Sequence, residues 1–351
     1  CRQVEPDLWV LRFPAWMPFT NRPLLRGWTR RGRRRLLQRV LRELELEPAV
    51  IWLSRPEMVA YVGELPPALL IYHVVDEYSA YFGLTEGERR DRRKRESELL
   101  AAADLTIVVS PELLAAKGGA ASPVHLVENA TDFEGYLEAV ARPELPPSLA
   151  CIPKPRLGYA GLIGDKLSLD ALEGLARSRP DWSLVLVGPV RLAADHAAWS
   201  RFFELPNVFL LPPVDFVTLR DFVKGFDLGL MPYRGTRQAR FICPMKLFDY
   251  LAVGIPIVSS DLPYLRAFSD VVRLVPEGES WVEPVSVALA GDDEGARGRR
   301  LEMASRHTWQ RRVSQVLGLI EAAQGATTRE PAPQASGSPA APSRRWPRSC
   351  R

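Results

Sequence analysis

Cysteine is scarce in this 351-residue chain: Cys1, Cys151, Cys243 and Cys350 are scattered and share no metal-ligand spacing. Such thiols build neither a disulfide framework nor a zinc site, and reduced, cytosolic cysteines are the simplest reading. No apolar run approaches the roughly 20 residues that a membrane-spanning helix needs. No secretory leader is recognisable, and the chain opens on Cys1 rather than Met, so an incomplete N-terminus is expected. Lysine is also rare, with six among the 46 Lys and Arg residues, so the arginine richness by itself assigns no function. Excess charge is nearly absent from the body. The formal net charge is +4, and from Gln324 onward Arg329, Arg344, Arg345, Arg348 and Arg351 face Glu330 alone, so the tail accounts for all of it. A neutral body argues against nucleic acid as a partner. The tail, residues 324–351, is rich in Pro, Ala and Ser and is expected to be disordered.

What is present is a globular composition, 46% hydrophobic, with length enough for two cores. After a short strand at Leu8–Arg12 and a long basic helix from about Arg22 to Leu46, apolar runs alternate with amphipathic ones. Strands are expected at Val50–Ser54, Leu69–His73, Asp104–Ser110 and Val124–Val127, with helices at Arg55–Val62, Glu86–Ala103 and from Pro111. A second series follows: strands at Arg156–Ala160, Trp182–Val187, Val208–Leu211 and Leu228–Met231, and a helix at Leu167–Ser178. This rhythm predicts an α/β protein with two doubly wound, Rossmann-like units, each a parallel sheet covered by helices. Residues 1–135 form the first unit, which lacks room for an opening strand–loop–helix before Leu8. Residues 136–155, with Pro143, Pro146, Pro147, Pro153 and Pro155, read as a linker. Residues 156–295 form the second unit, and 296–323 a final helix with Trp309, Val313, Val316 and Ile320 on one side.

The densest information lies in Pro244–Ser260, where a short helix, a Gly254-Ile-Pro256 break and a buried strand follow one another. Pro244 suits a first helical turn, Gly254 a left-handed stop, and Pro256 forbids continuation. In open α/β sheets such a helix begins at the carboxyl edge, where ligands bind. Its N-terminus offers N–H groups to a phosphate, Lys246 adds a charge, and Asp249 can accept bonds from ribose hydroxyls. The segment resembles the nucleotide-sugar site of family-4 glycosyltransferases of the GT-B fold. In that family a Glu-x7-Glu motif spans this turn and its second Glu binds the ribose. Asp249 holds the second place here, and Phe241 the first. The run is similar to the Pro-x-Lys-Leu-Phe-Glu-Tyr-Leu-Ala-x-Gly pattern of a teichuronic-acid-type subgroup, with Asp for Glu. A generic helix-to-strand unit of any doubly wound protein is the bland alternative.

The resemblance implies a cleft between two domains, the donor held by the C-terminal one and the acceptor by the N-terminal one. Gly161-Leu-Ile-Gly-Asp-Lys166 follows the first strand of the second unit. Gly161 would let the backbone approach a phosphate and Lys166 would balance it; a plain turn and a solvated lysine are the alternative. The wider family has an Arg where this chain has Leu162. In the first unit, Tyr72-His-Val-Val-Asp-Glu-Tyr78 enters a loop at the sheet edge. His73 and Asp76 are the catalytic candidates there, to position the sugar or acceptor, although a His at a strand end is often structural. Neither Asp292-Asp293 nor Asp76-Glu77 forms the Asp-x-Asp metal motif of the other large transferase fold, so no metal and no cofactor beyond the nucleotide-sugar donor are expected. The Arg-rich stretch Arg22–Arg42 could lie on an anionic membrane surface or be a solvated outer helix. The resulting expectation is a cytoplasmic transferase, peripheral at the inner face of the cell membrane. It would be retaining and metal-independent, moving a sugar to an envelope, polysaccharide or lipid-linked acceptor. The rivals are a GT-B epimerase and a non-catalytic nucleotide-sugar-binding protein.

Overall fold

The computed structural model describes residues 1–14, 23–47, 49–62, 69–119, 122–192 and 194–327. The expected tail therefore lies outside the described residues, apart from its first few positions. Two parallel sheets dominate. The N-terminal sheet orders Val50–Leu53, Leu69–Val74, Leu105–Val108 and Val124–Leu126 side by side in chain order. Alternation along its strands separates two apolar faces. Leu70, Tyr72 and Val74 join Leu99 and Leu113 of the helices Glu86–Ala102 and Pro111–Lys117 in the main core. Leu69, Ile71, Leu105 and Ile107 point the other way and meet Val316, Leu319, Ile320 and Ala323. Those four residues share one face of the last helix, Trp309–Thr327, so the chain returns from its C-terminal half to cover the N-terminal sheet. Of the residues expected on the helix's apolar side, Val316 and Ile320 lie on it, whereas Val313 is 55% exposed and Trp309 37%.

The C-terminal sheet runs Val208–Leu211, Ser183–Val187, Arg156–Ala160, Leu228–Met231, Ile257–Ser260, Arg273–Val275, all parallel. Numbered along this half, the strand order is 3-2-1-4-5-6, the doubly wound arrangement whose order reverses between its first and fourth strands. The crevice at that reversal lies beyond Ala160 and Met231. Helix starts here have local causes. Ser168 accepts from Ala171 N, opening Leu169–Ser178, and Asp215 accepts from Val217 N and Thr218 N, opening Phe216–Val223.

Two boundaries differ from expectation. Residues 136–155 are not an extended linker: helix Phe133–Ala141, capped by Asp132, and the turn Pro147–Ala150 occupy much of the stretch. Tyr136 and Leu149 are buried in the main core, Ala139 is buried as well, and Lys224 Nζ donates to Ala139 O and Arg142 O. The prolines separate packed pieces, and the chain crosses between halves earlier, at Val127–Asp132. The final helix is two, Glu294–Arg306 and Trp309–Thr327. At the break His307 stacks on Phe248 at 4.7 Å, and Thr308 pairs with Thr131 of the first crossing.

Candidate functional site

The helix Met245–Val253 starts as expected, with Pro244 one position earlier than foreseen: it is the N-cap, extended at φ −76° and ψ 114°, and not the first helical residue. Gly254 closes the helix at φ 81°, the left-handed stop. Between cap and stop the helix is almost wholly buried, and Tyr250 OH accepts from Ala160 N at 3.0 Å. That bond sets the helix against the end of the first strand of the C-terminal sheet. Its N-terminus is thereby brought beside the loop that begins with Gly161.

A cavity of about 540 Å³ opens there, and six of the seven residues singled out in the sequence line it: Asp76, Gly161, Lys166, Pro244, Lys246 and Asp249. Lys246 Nζ donates to Tyr233 OH at 3.0 Å and lies 4.9 Å from the ring centre of Tyr159 and 5.4 Å from that of Tyr233. Burial lowers its pKa to about 8, against the pull of Asp249. Gly161, at φ 135°, faces this amine: a Cβ there would stand 3.5 Å from Lys246 Cε and Nζ. Lys166 is exposed along its length, yet the protein around its ammonium group and the charge of Lys246 lower its pKa. Two cations thus face the space, and among the described residues neither forms an ion pair although Asp76 and Asp249 also line it, which favours a polyanionic ligand.

Asp249 sits deeper, 8% exposed, and accepts from Thr131 Oγ1 at 2.7 Å. Burial raises its pKa to about 6, and the Thr131 bond and Lys246 hold it down. Asp76 reaches the cavity from the N-terminal half. Its carboxylate accepts from Gln238 Nε2 at 2.8 Å, across the cleft, and from Glu77 N at 2.9 Å, while burial raises its pKa.

His73 stands apart. It does not line the cavity; its ring packs edge-on to Trp52 at 5.3 Å, and burial lowers its pKa to about 4. It projects from the sheet face where Trp52 of the neighbouring strand Val50–Leu53 lies, while the cleft receives Val75 and Asp76. Phe241, at the first motif position, is half-buried against the main core, and its carbonyl accepts from Ser110 Oγ of the other half.

Residues 169–318 match the glycosyl transferase-like family model. Over 144 residues the chain is 31% identical to a putative teichuronic acid biosynthesis glycosyltransferase, TuaH, of Bacillus subtilis (strain 168). That stretch is 40% of this chain and 35% of the relative, so the chain spans only about a third of the relative's length. Among solved structures, a sucrose-phosphate synthase from Thermosynechococcus elongatus superposes with a TM-score of 0.63 at 15% identity, covering 87% of this chain and 80% of that one. An α,α-trehalose-phosphate synthase (UDP-forming) from Burkholderia xenovorans does so with a TM-score of 0.61 at 12% identity, covering 84% and 78%. Residues 169–318 are thus similar to glycosyl transferase-like domains, and the chain as a whole shares the GT-B fold of these synthases.

The cavity's partners go beyond the motif. Tyr159, Tyr233, Gln238, Thr131 and Asn129 were not singled out, because each lies outside the helix–strand motif or far from it in sequence. Tyr159 is the penultimate residue of the strand before Gly161 and Tyr233 follows the strand that ends at Met231, so the strand pattern could have flagged both as edge residues. Thr131 and Asn129 carry no such signal.

Among the described residues no helix is long and apolar enough to cross a membrane. The basic helix spans Pro23–Glu43, and Arg31, Arg34, Arg35 and Arg39 are exposed on it.

Proposed function

We propose that the protein transfers a sugar from a nucleoside-diphosphate sugar to a glycan or lipid-linked acceptor, with retention at the anomeric carbon. The observation that carries this reading is the convergence of Lys166, Lys246 and the N-terminus of Met245–Val253 on the cavity that also holds Asp249. The lysines and the helix N–H groups stabilise charge that develops on the leaving diphosphate. Asp249 receives the ribose hydroxyls. The acceptor hydroxyl attacks the anomeric carbon from the face the diphosphate leaves. Its proton passes to a departing phosphate oxygen as the new carbon–oxygen bond forms and the old one breaks. Asp76, on the opposite wall, orients the sugar or the acceptor. The lysines supply the required positive charge, so the proposed step runs without a metal.

The name of the TuaH relative supports an envelope polysaccharide as the acceptor class. The exposed arginines of Pro23–Glu43 would hold the protein to an anionic lipid surface at the inner face of the membrane.

The test is a thermal-shift screen with UDP, GDP, dTDP and ADP, each with and without Mg2+, followed by product assay. Nucleotide at 100 times its Kd adds about 2.7 kcal/mol to the folded state. One nucleotide is expected to raise Tm, equally without metal, and Lys246→Ala and Asp249→Ala to remove both the shift and product formation. No shift with any nucleotide would sink the donor assignment; a shift without product would leave a binding protein. Co-sedimentation with phosphatidylglycerol vesicles at low salt checks the membrane contact, and failure to sediment removes it.

A further inference from the structure

The crossing at Val127–Asp132 does more than connect the halves. Asn129 Nδ2 donates to Cys243 O at 2.6 Å, directly before the N-cap Pro244. Asp132 pairs with Arg220, whose helix Phe216–Val223 places Phe216 and Leu219 on the cavity wall. Between them Thr131, fully buried, donates to Asp249 Oδ1 at 2.7 Å. Its backbone is held on both sides by the returning chain: Thr131 N donates to His307 O at 3.0 Å, and Trp309 N donates to Thr131 O at 3.2 Å. The hydroxyl therefore reaches Asp249 from a backbone fixed by both crossings.

We propose that Thr131 is a positioning residue of the donor site, holding the Asp249 carboxylate ionised and aimed at the ligand and tying it to the paired crossings between the two halves. This rests on the reading of Asp249 as the ribose partner. A carboxylate taken from water needs hydrogen bonds to its charged form, and a fixed donor supplies one without reorganisation on binding. The other groups facing Asp249 are Lys246 and Tyr250 on its own helix, Arg220 on Phe216–Val223, and Tyr136 on Phe133–Ala141. All of them remain when the Thr131 hydroxyl is removed.

Thr131→Val keeps the volume and removes the donor, Thr131→Ala removes it without a second γ-methyl, and Thr131→Ser restores it. Two readouts separate this proposal from the reading beneath it. The first is the titration of the Asp249 carboxyl in the ligand-free protein, followed by 13C NMR. Losing a bond to the ionised form raises the pKa, so Val and Ala variants are expected to titrate at higher pH and Ser as wild type. The second is calorimetric Kd for UDP, GDP, dTDP and ADP between pH 5.5 and 8. Val and Ala are expected to weaken binding about tenfold, most at the acid end, and Ser to recover it. An unchanged Asp249 titration, or unchanged Kd across the pH range where Asp249→Asn does weaken binding, overturns the proposal. If Asp249→Asn leaves every Kd unchanged, the ribose reading is what fails, and the titration still decides whether Thr131 holds the carboxylate.

Discussion

Lys246 is the residue whose environment most directly forecasts a measurable property. Burial between Tyr159 and Tyr233 lowers its pKa to about 8, below its ordinary 10.5. A diphosphate placed beside it favours the charged form and raises that pKa again. Between about pH 8 and 10, nucleotide binding is therefore expected to take up protons. Near pH 6.5 the amine is already charged and no uptake is expected from it. Calorimetry in buffers of different ionisation enthalpy reads this directly, and Lys246→Met should reduce the uptake at pH 8.5, leaving only what Lys166 contributes. Equal uptake in wild type and Lys246→Met would place the diphosphate elsewhere. In the family that this chain resembles, an Arg follows the first glycine of the loop. Leu162 stands there, and the Lys246 amine lies instead against Gly161.

At the scale of elements, the loop after Ala160 and the loop after Val187 are built together. Gly161 N donates to Val187 O at 2.9 Å, and a Cβ on Gly188, whose φ is 142°, would stand 2.2 Å from Gly161 O. Neither backbone can yield without moving the other. Gly188→Ala is thus expected to cost about 3 kcal/mol, from strain at positive φ and overlap with backbone. It should also weaken nucleotide binding at least tenfold, because the displaced group is Gly161 itself. A denaturant melt and a Kd on the same preparation check both. A fully stable variant with normal affinity would show that the two loops move independently. This coupling was not legible in the sequence. Gly188-Pro189 reads only as a strand end, and its closeness to Gly161 follows from two strands being neighbours in the sheet.

For the whole molecule, the last helix makes each half depend on the other. Val316, Leu319, Ile320 and Ala323 cover Leu69, Ile71, Leu105 and Ile107, strand residues more than 200 positions earlier. Ile320→Asp would put a carboxylate against that apolar face without a partner. The expected cost is about 2 kcal/mol or more. The damage should appear as faster proteolysis within the N-terminal sheet, with the C-terminal domain resisting longer. Uniform stability after this change would mean that the helix contributes little to the N-terminal sheet. The chain's crossings, Val127–Asp132 and His307–Trp309, pair at Thr131 and Thr308, so both connections between halves meet beside Asp249.

What the sequence determined by itself was local and periodic. Alternating apolar runs placed strands within a residue or two, because burial on both faces of a parallel sheet leaves no room for polar side chains. Gly254 and Pro256 stopped a helix because of their own backbone limits. Lys166 and Asp76 could be named because charged residues in loops after parallel strands have few structural uses, and Lys246 and Asp249 because they lie on the first turns of a helix that starts at the sheet's carboxyl edge. Tertiary structure decided the rest. Whether His73 faced the cleft or Trp52 depended on which side of the strand the partner lay. The stretch 136–155 became packed structure because Tyr136 and Leu149 found a core made of residues distant in sequence. Thr131 and Asn129 became parts of the site only through contacts spanning more than 100 positions. Hydrogen bonds of that range depend on how two sheets and two crossings assemble, and no periodicity along the chain encodes them.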